Sequence, residues 1–166
     1  MIFHKATVQS KIYSVHNHAP ADYECPFCYL VSGGATPLDG QQDVVLRTPT
    51  TTAFIAGSWW PNNRGHVIVI PNDHHENLYD LPRHLGHDLH DTVQQIATAI
   101  RATYGCEGTS TRQHNEPAGD QEVWHVHTHV FPRYPGDDLH TLPRLPGIAP
   151  PEQRLPYAAK LRAHLS

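Results

Sequence analysis

Three histidines stand at alternate positions in the stretch WHVHTHVFPRY: His125, His127 and His129. An imidazole titrates near neutrality, so at physiological pH it can attack as a neutral nitrogen, carry a proton or ligate a metal ion. A spacing of two matches an extended strand, which turns the three rings to one side and Val126, Thr128 and Val130 to the other. Phe131 and the Pro132-Arg133 break place the end of that strand just past the triad, near a rim that a ligand can reach. With 15 histidines in 166 residues, about 0.12 such triads arise by chance, so the array needs support from the rest of the chain. His84, His87 and His90 read simply as solvated residues. A second chemical motif is ECPFCYL, whose two-residue gap lets Cys25 and Cys28 face one ion. A tetrahedral zinc would need two more ligands, and a redox pair or two free thiols are the alternatives. No thioredoxin-like βαβ pattern follows the motif, which puts zinc first.

The elements that must position these groups follow from patterning. Short strands are expected at Thr7 to Val15 and Val44 to Arg47, and firmer ones at Thr51 to Ala56 and His66 to Ile70. Between the last two lies GSWWPNNRG, rich in turn formers, so the pair reads as an antiparallel hairpin with a long connection. Leu85, Leu89, Val93, Ile96 and Ile100 recur every three or four residues, and Gly105 stands where a helix would end, which predicts one long helix. Thr109 to Gln113 begins another strand, NEPAGDQ turns, and Glu122 to Phe131 is the histidine-bearing strand. Pro135 to Pro151 reads as irregular, followed by a short helix from about Pro156 to Leu165 with proline in its first turn.

Length and composition bound what surrounds the site. A chain of 166 residues, 39% apolar and 17% charged, reads as a single domain over residues 1–166. A formal net charge of -4 without a basic run gives no broad surface for nucleic acid or anionic lipid. No segment approaches the roughly 20 apolar residues that span a bilayer, and the start lacks a long apolar stretch, so a cytoplasmic protein is expected. Three cysteines, an odd number with one close pair, fit a reducing compartment, with Cys106 packing in the core.

Taken together, the HxHxH array, Asn115 ten residues upstream of it, Gln121, Val123 and the earlier RGHVIVIPNDHHENL resemble the histidine-triad, or HIT, family. Its mark is His-φ-His-φ-His-φ-φ with φ apolar. The similarity covers roughly Glu24 to Tyr134 and leaves residues 135–166 as an irregular tail and short helix. The resemblance implies an α+β fold with a mainly antiparallel sheet, a homodimer, and hydrolysis or transfer at the α-phosphorus of a nucleotide. In that light His127 is the nucleophile that forms a nucleotidyl-histidine, with His129 also catalytic. His66 and His129 contact the phosphate or leaving group as charge-stabilising or proton-donating imidazoles. Asn115, Gln121 and the chain at Glu122 and Val123 hold phosphate oxygens. Zinc-containing bacterial members imply a structural zinc on Cys25, Cys28, His74 and His125, with His75 a neighbouring competitor for His74. Ser58 stands where the family often has an Asp that holds the ribose hydroxyls, and Trp59 or Trp60 offers a stacking face in compensation. His129, where transferase branches have Gln, favours hydrolysis over transfer.

Two other function classes fit the same residues. The triad, or two of its members with His66, could ligate a catalytic zinc bearing a water, making a metallohydrolase. A nucleotide-binding dimer with little turnover is the non-enzymatic alternative. Metal stripping separates the first from a HIT enzyme, and turnover separates either from a binding module.

Overall fold

The computed structural model describes residues 17–166; the strand expected at Thr7 to Val15 lies outside them. The elements run α1 (Pro26–Val31), β1 (Val44–Arg47), β2 (Thr51–Ile55), β3 (Val67–Pro71), α2 (Arg83–Thr103), β4 (Gly108–Gln113), β5 (Thr128–Arg133) and α3 (Pro151–Leu165). Five strands form one sheet in the order β1-β2-β3-β5-β4, every neighbouring pair antiparallel. This is the α+β arrangement expected, with β2 and β3 joined as the hairpin across GSWWPNNRG.

Residue alternation assigns the two faces. Ala53, Ile55, Val67, Val69 and Val130 meet Leu89, Val93, Ile96 and Ile100 of α2 and Ala158 and Leu161 of α3. The residues between them, Phe54, Ala56, Ile68 and Ile70, meet Phe27 and Leu30 of α1. Because β2 and β3 are covered on both sides, every one of their residues is buried, which is why they read as continuous apolar runs in the sequence. Gly105, just past the end of α2, takes φ +67°, where a side chain would be strained. Among the described residues no helix is long and apolar enough to cross a membrane.

Two expectations are corrected here. The last helix starts at Pro151, five residues early, with Pro151 in its first turn and Pro156 inside it. A proline at the sixth position removes only the hydrogen bond to the Glu152 carbonyl. The extra turn is anchored by Arg154, which is buried and donates to Asp43 Oδ2 at 2.8 Å and to the Leu38 carbonyl at 2.7 Å. Second, the histidine-bearing strand begins at Thr128, so His125 and His127 precede it. The β3–β5 ladder stops at Val69 opposite Thr128. Beyond it the Pro71 carbonyl is taken by the His125 ring at 3.0 Å and the His75 carbonyl by the Val126 amide at 2.7 Å. Side-chain and loop donors satisfy the groups that a longer strand would have used.

Candidate functional site

The chain from Gln121 to His127 is a pinned loop laid across the end of β3. Gln121 Nε2 donates to the Glu76 carbonyl at 2.6 Å and to the Val123 carbonyl at 3.0 Å, while its Oε1 accepts from the Glu116 amide. The Trp124 amide donates to the Tyr23 hydroxyl. Along this loop the three alternate histidines stay on the α1 side of the sheet, as their spacing implies: Phe27 packs edge-on to both His125 and His127, and the His127 and His129 rings lie 5.1 Å apart, while Val130 faces the opposite side. His125 turns toward α1, and His127 and His129 turn into a cavity of about 420 Å³, a size ordinary for small-molecule sites.

The His125 ring fixes its own tautomer. A carbonyl only accepts, so Nε2–H donates to Pro71 and Nδ1 presents a lone pair to Cys25 Sγ at 3.4 Å and Cys28 Sγ at 3.6 Å. His74 Nδ1 lies 3.3 Å from Cys28 Sγ. The ligand atoms of Cys25, Cys28, His74 and His125 all fall within 4.8 Å of one another. In a tetrahedral zinc site with ordinary bond lengths, sulfur and nitrogen ligands stand roughly 3.5 Å apart, so the four residues fit a zinc-type cation. His74, not His75, is the fourth member; His75 contributes only its carbonyl to the loop. Cys25 caps α1, its sulfur facing the Cys28 amide, which brings both thiols to one side of a single helical turn.

In the cavity, His127 Nδ1 donates to the His125 carbonyl at 2.7 Å. This leaves Nε2 with its lone pair free to attack, and burial lowers the ring's pKa and keeps it neutral, against the opposing effect of that carbonyl. His66 Nε2 and His129 Nδ1 lie 3.2 Å apart and share one proton. His66 Nδ1 is buried without a partner; an orphan acceptor is tolerated better than an orphan N–H, so the shared proton belongs to His66 and His129 Nε2–H becomes a donor. His66 reaches this place because Gly65, at φ +73°, lets Tyr157 lie where a Cβ would sit 2.3 Å from its ring. Phe131 stacks on both His66 and His129.

Burial drives His66 down to about 3, helped by the Arg112 guanidinium, and drives His129 well below its ordinary value, helped by His66, His127, His114 and Arg112. A depressed histidine pKa has a stability consequence: the unfolded ring takes a proton near pH 6.5 and the folded one does not, so stability held above that pH is lost on acidification toward 3. Unfolding free energies from urea titrations should fall steadily from pH 7 to 4, by up to about 1.4 kcal/mol per pH unit for each such ring. His66→Gln should flatten that slope; an unchanged slope would show that the ring does not titrate this way.

Other sequence candidates separate clearly. Ser58, Glu122 and Val123 line the cavity. Asn115 and Gln121 do not: Asn115 Oδ1 accepts from the Leu78 amide and Gln113, and the Gln121 amide is consumed by the loop. Trp59 is also displaced from the role foreseen for it, being buried with its Nε1–H on the Ala56 carbonyl and its ring edge-on to Tyr157. Trp60 takes the cavity position instead, under the Arg112 guanidinium at 5.5 Å. Arg112, His114 and Arg144 also line the cavity and were missed. Arg112 is the cross-strand neighbour of His129, and His114 follows at a spacing of two, so a β4–β5 register would have revealed both. Arg144, paired with Glu122 at 2.8 Å, comes from the irregular tail, where nothing marks it.

A family model described as the HIT domain matches residues 39–136. The chain belongs to the HIT family. It is 33% identical over 110 residues to "Protein hit" of Bacillus subtilis, covering 66% of this chain and 71% of that one. It is 28% identical over 109 residues to an adenosine 5'-monophosphoramidase of Schizosaccharomyces pombe, covering 66% of this chain and 74% of the relative. Among solved structures, a zinc-bound histidine triad family protein from Mycobacterium smegmatis superposes with a TM-score of 0.69 at 30% identity, covering 85% of this chain and 92% of that one.

Proposed function

We propose that this HIT-family protein hydrolyses a nucleotide derivative at its α-phosphorus through a nucleotidyl-His127 intermediate. The observation that carries this reading is the orientation of His127, whose Nδ1–H is held by the His125 carbonyl while Nε2 opens into the cavity beside His129. Nε2 forms the N–P bond as the leaving group departs, and His129 Nε2–H is placed to hydrogen-bond a phosphoryl oxygen or the departing atom. Water then cleaves the N–P bond, releasing the nucleoside monophosphate and restoring the imidazole. Main-chain groups at Glu122 and Val123, which line the cavity, serve the phosphate. The leaving group is an amine, a phosphate, a sulfate or the carboxylate of an acyl adenylate, and the name of the fission-yeast relative supports the first.

Zinc is proposed as a structural ion on Cys25, Cys28, His74 and His125, supported by their convergence and by the zinc-bound mycobacterial neighbour. It supplies a tie between α1 and the catalytic loop. A catalytic zinc on the triad is disfavoured because His125 Nδ1 faces the two thiols and His127 Nδ1 is consumed by a carbonyl. Assays with nucleoside phosphoramidates, dinucleoside polyphosphates and acyl adenylates, run beside zinc content on one sample, test the reading. Turnover of at least one class is expected, persisting after metal removal in whatever fraction stays folded; nucleotide binding without turnover would leave a binding module. We carry a homodimer as part of the proposal from the family resemblance alone. A light-scattering mass near the 18.6 kDa chain at micromolar concentration would reject it.

A further inference from the structure

The cavity wall holds a cation that the chemistry above does not use. Arg112, on β4, lines the cavity beside His129, its cross-strand neighbour. Its guanidinium lies 5.2 Å from the centre of the Phe131 ring and 5.5 Å from that of Trp60, which fixes its place over aromatic faces. Nη2 donates to the Leu139 carbonyl at 3.1 Å and faces His140 Nδ1 at 2.9 Å. Among the described residues no carboxylate pairs with it. The neighbouring arginines differ: Arg133 is clasped by both oxygens of Asp137, at 2.7 and 2.8 Å, and Arg144 pairs with Glu122. His140 offers no relief, because its Nε2 faces Arg133 Nη1 at 3.2 Å and a neutral imidazole has one lone pair for two arginines. Burial, and after it the Arg133 charge, works against the ionised form of Arg112. A guanidinium keeps its proton at physiological pH, so this half-buried one is set to take an anion.

Its position in the row of rings says which anion. Phe131 stacks on both His66 and His129, so Arg112, over Phe131, stands at the His66 and His129 end of the row, with His127 on the other side of His129. Displacement at phosphorus runs in line, and the leaving group departs on the side opposite the nucleophile. With His127 attacking and His129 Nε2–H on the departing atom, whatever is bonded to that atom lies toward Arg112. An amine there is neutral or, once protonated, positive, and gains nothing from a guanidinium. A phosphate chain or a sulfate brings both the negative charge and the paired oxygens that a guanidinium binds.

We propose that Arg112 binds an anionic leaving group and so makes this site select acid anhydrides, nucleotides joined through oxygen to a phosphate chain or a sulfate, over phosphoramidates. The inference rests on the nucleotide reading above and names the substrate class within it. As His127 Nε2 forms the N–P bond, the bond from phosphorus to the bridging oxygen breaks, and its electron pair leaves on that oxygen as part of the phosphate or sulfate. Arg112 balances the charge so gained, and water then takes the nucleotidyl group from His127.

Steady-state kinetics of the whole protein on diadenosine triphosphate, adenylyl sulfate and adenosine 5′-phosphoramidate test this. Wild type should show a kcat/KM about tenfold or more higher for at least one anhydride than for the phosphoramidate, and the better anhydride tells a phosphate chain from a sulfate. Arg112→Gln, its fold verified by circular dichroism, should cut the anhydride-to-phosphoramidate ratio by about tenfold or more, as when one charge-stabilising donor is removed. Arg112→Lys, which keeps the charge without the fork, should recover part of that ratio. A wild type that prefers the phosphoramidate to both anhydrides would overturn the assignment, and that comparison needs no variant to fold. So would an undiminished ratio in folded Arg112→Gln. Turnover of none of the three compounds by wild type would sink the nucleotide-hydrolysis reading itself, and the role of Arg112 with it.

Discussion

Replacing His127 with asparagine should leave a folded protein that binds nucleoside monophosphate yet turns over substrate on the order of 10⁴-fold more slowly, or worse, as when a covalent nucleophile is removed. Asparagine is the informative choice because its amide can keep the hydrogen bond that His127 Nδ1–H makes to the His125 carbonyl. It offers nothing in the place of Nε2. The loop, the neutral His66–His129 pair and the cavity walls therefore survive while the attacking atom is lost. Binding and chemistry separate cleanly: affinity for the monophosphate should stay within a few-fold, and the loss should appear in kcat. Quenching the wild-type reaction with a labelled nucleotide and mapping the adduct by mass spectrometry should place the label on His127. Near-normal turnover by the asparagine variant, or a label on another residue, would remove His127 from its role.

How far the sequence discloses this site depends on which interactions set each residue's position. Periodicity marks β2, β3 and α2 to within a few residues, because both strands are buried runs and the α2 stripe repeats against one core. The triad spacing is compatible with a strand, but Gln121, Tyr23 and the Pro71 carbonyl hold His125 and His127 in a loop, and none of those contacts is local. The same distinction separates the neighbouring tryptophans. Trp59 and Trp60 are equivalent as letters, and only the packing of α3, through Tyr157, decides that Trp59 goes to the core. Asn115 and Gln121 look like phosphate ligands because they are polar and close to the triad, yet both spend their amides on the backbone and side chains that shape the loop. Arg112 and His114 become visible once β4 is paired with β5, since Arg112 stands opposite His129. Arg144 and Asp39 reach the cavity from segments with no regular pattern, one after the last strand and one before the first.

The second large effect concerns the Cys/His cluster. Cys28→Ala should remove the bound metal and lower thermal stability more than it lowers the rate of the molecules still folded. Cys28 Sγ faces both His74 Nδ1, at 3.3 Å, and His125 Nδ1, at 3.6 Å, so its loss breaks a four-ligand site from the centre. Burial, followed by the hydrogen bond with Cys25, pushes the Cys28 thiol up to about 12, so it stays protonated at neutral pH. A metal must therefore displace protons to bind, and its affinity should weaken as pH falls. The free energy of that binding belongs to folding, because the four residues come from α1, the turn after β3 and the loop before β5. Losing even roughly 3–5 kcal/mol from a chain of this size lowers Tm by about 10 °C or more. The rate is protected because His127 is not a member of the cluster, although its acceptor, the His125 carbonyl, is carried by one of the ligands. Elemental analysis should find about one zinc per wild-type chain and far less in the variant. Metal-free wild-type protein with an unchanged melting curve would defeat the structural assignment. A variant that keeps its zinc while losing turnover would instead place the metal at His127.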